Sequence, residues 1–225
     1  MILAIPDILT GAELGEARAQ LEATEWIDGK ATAGHQGARV KDNQQLARDN
    51  PIADEVGARI IAALHKNPLF VSAALPLHIL PPMFNRYSSG QTFGTHVDGS
   101  IRTLPTGQRI RTDLSCTLFF GNPEEYDGGE LIIEDTYGEK SVKLPAGHLI
   151  LYPSTSLHRV TPVTRGTRLC AFFWLQSMIR DDTRRTLLFD MDIGIQRVAT
   201  DQPDHTGVIQ LTGVYHNLLR QWAEV

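Results

Sequence analysis

Cysteine is scarce: Cys116 and Cys170 are the only two in 225 residues, and both sit inside apolar runs. Two such thiols suit a reducing cytosol and exclude the disulfide framework of a small secreted domain. Long hydrophobic runs are missing as well. No window approaches the roughly 18 consecutive apolar residues of a membrane span, so no membrane partner is expected. The opening Met1-Ile-Leu-Ala-Ile-Pro6 has no basic flank and turns polar at Asp7, which argues against a signal peptide. Positive charge is not in excess: a net charge of -5 argues against general nucleic-acid binding. Internal repeats and low-complexity runs are lacking. What remains is a cytoplasmic globular chain, 42% hydrophobic and 21% charged, long enough for one substantial core.

Helical spacing dominates the beginning. Thr10 and Glu13 fit a capping box ahead of Leu14, Ala17 and Leu21. From Asp28 to Gln45 the glycines and polar residues read as a loop, in which His35 is solvent-facing. Asn50-Pro51 starts a second helix with Ile52, Val56, Ile60 and Leu64 as its buried stripe, and Asn67-Pro68 ends it. Beyond Pro68 the period changes to short runs rich in β-branched and aromatic residues, near 69–74, 77–87, 112–120, 130–135, 140–144, 148–152, 157–163 and 167–177. Many short strands with regular turn signals indicate a sandwich, barrel or jelly roll. Helical spacing returns after Ile179, and Leu211, Tyr215, Leu218 and Trp222 make an amphipathic stripe that must dock on something.

One polar constellation stands out against this background. Gly94-Thr-His-Val-Asp-Gly99 places His96 and Asp98 two apart, and Ser156-Leu-His-Arg159 supplies His158. The pair alone is what a polar turn at a strand end also provides. On a strand, however, residues two apart point to one side, and His158 begins another expected strand. Two imidazoles and a carboxylate are the ligand set that leaves one face of a non-haem Fe(II) ion open. Arg168 shares strand parity with Cys170, Phe172 and Trp174. A charge at the head of that apolar face needs an anionic partner, and a planar guanidinium grips a carboxylate through two bonds.

The pattern Asn85-Arg-Tyr87, His96-Val-Asp98, Asp127-Gly-Gly-Glu-Leu131, Pro145-Ala-Gly147, His158 and Arg168 resembles the Fe(II)/2-oxoglutarate-dependent dioxygenases. Together with Trp26-Ile-Asp-Gly-Lys-Ala-Thr-Ala-Gly34, it looks more closely like the bacterial PKHD-type hydroxylases. The resemblance implies a mainly β fold with flanking helices: a double-stranded β-helix (jelly-roll) core. Residues 1–77 would support it, 78–178 would form the dioxygenase core, and 179–225 a small C-terminal helical tail. It implies His96, Asp98 and His158 as iron ligands, Arg168 as the anchor for the distal carboxylate of 2-oxoglutarate, and Tyr87 as a phenol hydrogen-bonded to that cosubstrate. One departure is visible. Several relatives carry a second tyrosine on the strand that here runs Leu114 to Phe120, where only Phe119 and Phe120 are available.

The same resemblance implies decarboxylation of 2-oxoglutarate to succinate, hydroxylation of an unidentified small-molecule or peptide substrate, and L-ascorbate as an accessory. Asp98 favours hydroxylation, since halogenating relatives lack that carboxylate. A link to iron uptake or siderophore handling also comes with the subgroup. Two rival readings share the β core: a non-catalytic metal-binding sensor or binding module, and a hydrolytic or isomerising metal enzyme. Neither has a use for a carboxylate clamp at Arg168. The loop Gly99 to Arg111, with Arg102, Arg109 and Arg111, reads as either a basic lid or a solvated charged loop. The C-terminal helices offer a surface for pairing subunits.

Overall fold

The first strand, β1 (Leu3–Ile5), runs into helix α1 (Gly11–Ala23), whose Ala17 and Leu21 are buried. Thr10 occupies the cap position but makes no side-chain capping bond, so the expected capping box does not form. The computed structural model describes residues 1–32 and 37–225. His35 and Gly34 therefore lie outside the described residues.

The stretch expected to be a loop holds structure instead. β2 (Ile27–Asp28), a 3-10 turn (Gly29–Thr32), α2 (Gly37–Val40), β3 (Lys41–Asp42) and β4 (Gln44–Gln45) follow one another. Strands of two residues are too short to show a period, which is why the sequence hides them. α3 (Pro51–Lys66) begins as expected: the Asn50 side chain accepts from the Ile52 amide at 2.9 Å. Residues 68–74 form a helix, α4 (Pro68–Ala74), and not a strand. Asn67 ends α3 and caps α4, accepting from the Phe70 amide at 2.9 Å. Asn-Pro is a start signal as much as a stop, and here it is both.

The β region then unfolds in order: β5 (Pro76–Ile79), β6 (Met83–Ser88), β7 (Thr92–His96), β8 (Ile101–Thr103), β9 (Arg109–Arg111) and β10 (Leu114–Phe119). It continues with β11 (Asp127–Gly128), β12 (Leu131–Asp135), β13 (Gly138–Val142), β14 (Leu149–Pro153), β15 (His158–Val160), β16 (Val163–Arg165) and β17 (Thr167–Ser177). Among the described residues two large antiparallel sheets result, beside the two-stranded ribbons β8-β9 and β11-β16. The larger is ordered β1-β14-β10-β17-β6-β4-β2 with β5 beside β17, and the smaller is β13-β12-β15-β7-β3. Apart from the β12-β13 hairpin, neighbours within these two sheets are distant in sequence, as in a jelly roll.

The alternation of β17 explains how the layers stack. Leu169, Ala171, Phe173 and Leu175 pack with Phe84, Leu118 and Leu151 against the helices α1, α3 and α4. Their neighbours turn the other way, where Cys170, Phe119, Ile150 and Tyr152 meet Leu131, Ile133, Val142 and Val160 of the smaller sheet. Cys116 and Cys170 are both buried free thiols, pushed up by burial. The tail is α5 (Asp182–Asp201) and α6 (Thr206–Trp222). Tyr215, Leu218 and Trp222 dock on Leu75, Ile179 and Leu188, while Leu211 stays 40% exposed. With six helices beside the sheets among the described residues, the class is mixed α/β and not mainly β. Among the described residues no helix is long and apolar enough to cross a membrane.

Candidate metal centre

β7 and β15 are neighbours in the smaller sheet, and His96 and His158 are directly paired across them. Their ring centroids lie 4.2 Å apart. Asp98 follows just beyond the end of β7, and its Oδ2 lies 3.7 Å from His158 Nε2. One ligand atom from each of the three falls within 4.8 Å of the others. Donors bonded to one ion at about 2.1 Å each sit no more than about 4.2 Å apart, so a small tightening closes the set.

The tautomers are fixed from behind. His96 Nδ1 is 2.8 Å from the Gly94 carbonyl, and His158 Nδ1 is 3.0 Å from the Ser156 carbonyl. A carbonyl only accepts, so each Nδ1 carries the hydrogen and each Nε2 keeps a lone pair for a metal. Burial, with His158 beside it, pushes the His96 imidazole down to about 4, so the ring is neutral at ordinary pH. The Phe93 ring stacks on it at 3.7 Å and shields one face. Asp98 Oδ2 accepts from Ser115 Oγ at 2.6 Å, and Ser115 in turn meets Ser154 Oγ at 2.8 Å. Nothing in the sequence singled out Ser115; its place on β10, opposite Tyr152 of β14 and Trp174 of β17, emerges only with the sheet.

The three side chains line a cavity of about 800 Å³ that also reaches Arg168. Arg168 is 2% exposed and paired with Tyr87 across β17 and β6. Its guanidinium carbon lies 5.3 Å from the ring centres of both Tyr87 and Phe119. Its Nε has no hydrogen-bond partner, and among the described residues it forms no ion pair. An arginine buried in this way wants a bidentate anion. Tyr87 is buried, its phenol pushed up to about 12 by that burial, and Asn85 Nδ2 donates to it at 3.4 Å.

The missing second tyrosine has counterparts elsewhere. Tyr152 of β14 lines the cavity and sets its ring edge against His158, with centroids 5.2 Å apart. Tyr126 is buried, and among the described residues its hydroxyl has no hydrogen-bond partner. Gly129 explains how Arg168 fits beneath it: at φ +68°, a Cβ there would stand 3.1 Å from both Arg168 Cδ and the Tyr126 ring.

The segment Gly99 to Arg111 is a hairpin, β8 paired with β9. Arg102 is opposite Ile110 and turns inward, with its guanidinium carbon 4.0 Å from the Trp174 ring centre. Arg111 turns away to Asp113, at 2.6 Å, and Glu224, at 3.1 Å. A lid carrying three basic residues is therefore not what forms; only Arg102 lines the cavity. His148 is half-buried beside Asp7 at 3.6 Å.

Residues 82–176 match the family model of the 2OG-Fe(II) oxygenase superfamily, and residues 182–224 match that of the PKHD-type hydroxylase C-terminal domain. A PKHD-type hydroxylase of Bordetella pertussis is 58% identical over 226 residues, covering 100% of both chains. One from Xanthomonas campestris pv. campestris is 59% identical over 228 residues, again with 100% of both covered. Among solved structures, a prolyl hydroxylase from Trichoplax adhaerens, in complex with a hypoxia inducible factor peptide fragment, is similar with a TM-score of 0.57 and 15% identity. The match covers 83% of this chain and 86% of that one. HygX from Streptomyces hygroscopicus, with nickel, 2-oxoglutarate and hygromycin B bound, gives a TM-score of 0.55 at 13% identity, covering 78% and 82%. At such identities these two likenesses speak to the jelly-roll fold alone.

Proposed function

The chain belongs to the PKHD-type hydroxylases of the 2OG-Fe(II) oxygenase superfamily, and from that premise we propose how its residues divide the work. The ferrous ion is held by His96 Nε2, an Asp98 oxygen and His158 Nε2, with Arg168 anchoring the distal carboxylate of 2-oxoglutarate. Two histidines whose Nδ1 hydrogens are both committed to carbonyls, aimed with one carboxylate at a common point, carry this reading. The donor set suits iron, since two imidazoles and one carboxylate would hold it by one face and leave it able to take the cosubstrate.

When bound, iron and 2-oxoglutarate together supply oxygen activation: the keto acid leaves as succinate and carbon dioxide, and a substrate C–H bond becomes C–OH. The chain's own residues prepare the place for it. Ser115 holds the Asp98 carboxylate in one orientation. Phe93 and Tyr152 pack the imidazoles so that neither ring turns. Arg168 supplies the charge that orients the cosubstrate, and the Tyr87 phenol, protonated throughout the working range, donates beside it. Phe172 and Trp174 give the cavity an aromatic wall.

Anaerobic titration with Fe(II) and 2-oxoglutarate tests the assignment. A weak visible charge-transfer band should develop with both present, and oxygen should then yield succinate. A band without succinate would favour the sensor reading, and no band would remove the 2-oxoglutarate site. Ascorbate enters as a reductant that keeps iron ferrous, tested by its effect on sustained turnover. A part in iron uptake or siderophore handling is proposed from kinship to the subgroup, and unchanged growth of a deletion strain under iron starvation would remove it.

A further inference from the structure

The cavity is lopsided in charge beyond what the cosubstrate needs. Arg39, Lys41, Arg102 and Arg168 line it, and Asp98 is the one carboxylate among its described lining residues. A ferrous ion and a dianionic keto acid cancel one another, and Asp98 offsets one of the four cations. Arg39, exposed, Arg102, half-buried, and Lys41, buried with Asp28 near enough to favour its charge, complete the basic lining.

Two of these are held by aromatic rings. Arg102 lies flat over Trp174, half-buried, with a buried Nε that has no hydrogen-bond partner and no ion pair among the described residues. The Lys41 ammonium, hydrogen-bonded to Gln45, sits 5.5 Å from the Phe93 ring centre and 5.9 Å from that of Phe172. Phe172 and Trp174 meet edge to face at 5.6 Å, so the two cations flank one continuous aromatic wall. Burial, and then the charge of Arg102, weigh against protonation of Lys41, while Asp28 favours it. Arg102, whose buried Nε has no partner among the described residues, is the cation on this wall that an incoming anion would relieve.

The geometry points to a substrate that is a small amphiphilic acid: an apolar body lying on Phe93, Phe172 and Trp174, with a carboxylate gripped by Arg102 and steadied by Lys41. A cavity of about 800 Å³, part of it given to the cosubstrate, matches the size of small-molecule sites. This rests on the iron and 2-oxoglutarate reading above, because the cation balance assumes both are bound. A guanidinium already laid on an indole face loses little freedom when it takes a carboxylate, which is why Arg102 and not Lys41 carries the selectivity.

The test uses the Fe(II)- and 2-oxoglutarate-loaded protein without oxygen, titrated by calorimetry with 4-phenylbutyrate and with its neutral amide. The acid should bind about ten- to a hundredfold more tightly, the range of a charge-assisted hydrogen-bond pair. Arg102→Gln should bring acid and amide to near parity, Lys41→Gln should narrow the gap, and Arg102→Lys should restore part of it. The chelate band must persist throughout, which separates binding at this place from displacement of 2-oxoglutarate at Arg168. Equal binding of acid and amide to the wild type, no binding of the acid, or a preference that survives Arg102→Gln would overturn the inference. Loss of the band as the acid is added would also overturn it, by showing displacement of 2-oxoglutarate, whereas no band before the acid is added would instead overturn the iron and 2-oxoglutarate reading.

Discussion

His158 is the cross-strand partner of His96, although about sixty residues separate them in the chain. Adjacent antiparallel strands hold directly opposed side chains about 4.5–5.5 Å apart at Cβ, so the sheet itself sets the spacing of the two imidazoles. Their proposed ligand role predicts that His158→Ala, leaving only His96 and Asp98, cannot retain iron at catalytic strength. Fe(II) affinity and succinate formation should both fall at least about a hundredfold. Equilibrium binding of Fe(II) under nitrogen, alongside a succinate assay, measures this. Undiminished iron binding would show that the histidine pair is structural.

Ser115 touches no reacting group and acts through Asp98, whose Oδ2 it meets at 2.6 Å. Removing that hydroxyl leaves the carboxylate free to rotate away from the imidazoles. Ser115→Ala should weaken metal affinity by about ten- to a hundredfold, the usual cost of losing an outer-shell partner. Saturating Fe(II) should recover most of the turnover, because the three ligands remain. A fall in turnover that saturating iron fails to relieve would assign Ser115 a different part.

Arg168 is a buried cation without a carboxylate beside it among the described residues. Such a group is held at a cost to the fold. Arg168→Met should therefore stabilise the metal-free protein, by about 1 kcal/mol or more, while destroying its response to the cosubstrate. In denaturant melts with Mn(II), 2-oxoglutarate should stabilise the wild type according to its affinity and leave the variant unmoved. A variant still stabilised by 2-oxoglutarate would place the carboxylate anchor elsewhere.

The legible parts of this site are those written in a short period. Arg168 in phase with Phe172 and Trp174 follows from strand alternation, His96 and Asp98 are two apart although Asp98 lies just past the end of β7, and the cavity gathers all five. Lys41 was illegible because β3 is two residues long and a pattern needs several. Arg102 could have been told from Arg109 and Arg111. Pro105 and Gly107 mark a hairpin turn, and across it Arg102 falls opposite Ile110, on the apolar side. Tyr152 and Ser115 come from strands read correctly as strands. Which of their faces looks into the cavity depends on the order β14-β10-β17, a long-range fact that local spacing does not encode. The helix α4 was missed because Leu69 to Ala74 is too short and apolar for periodicity to separate helix from strand.

Lys41 offers a prediction in pH. Burial, and then the charge of Arg102, lower its ammonium from 10.5 to about 8. Its value in the folded chain is thus depressed, so between about 8 and 10.5 the unfolded chain binds more protons than the folded one. Stability then rises with pH across that window and is lost again as pH falls through about 8. In Lys41→Met this contribution is gone, while the alkyl chain still packs on Phe93 and Phe172. Denaturant melts at stepped pH should show the wild type gaining on the variant between pH 8 and 10.5, by at most about 3 kcal/mol. The acid-binding proposal adds a second reading from the same residue: affinity for 4-phenylbutyrate should decline over the pH range in which the folded protein loses this proton. Parallel stability curves for wild type and variant would mean that the ammonium is better solvated than its place between the two rings implies.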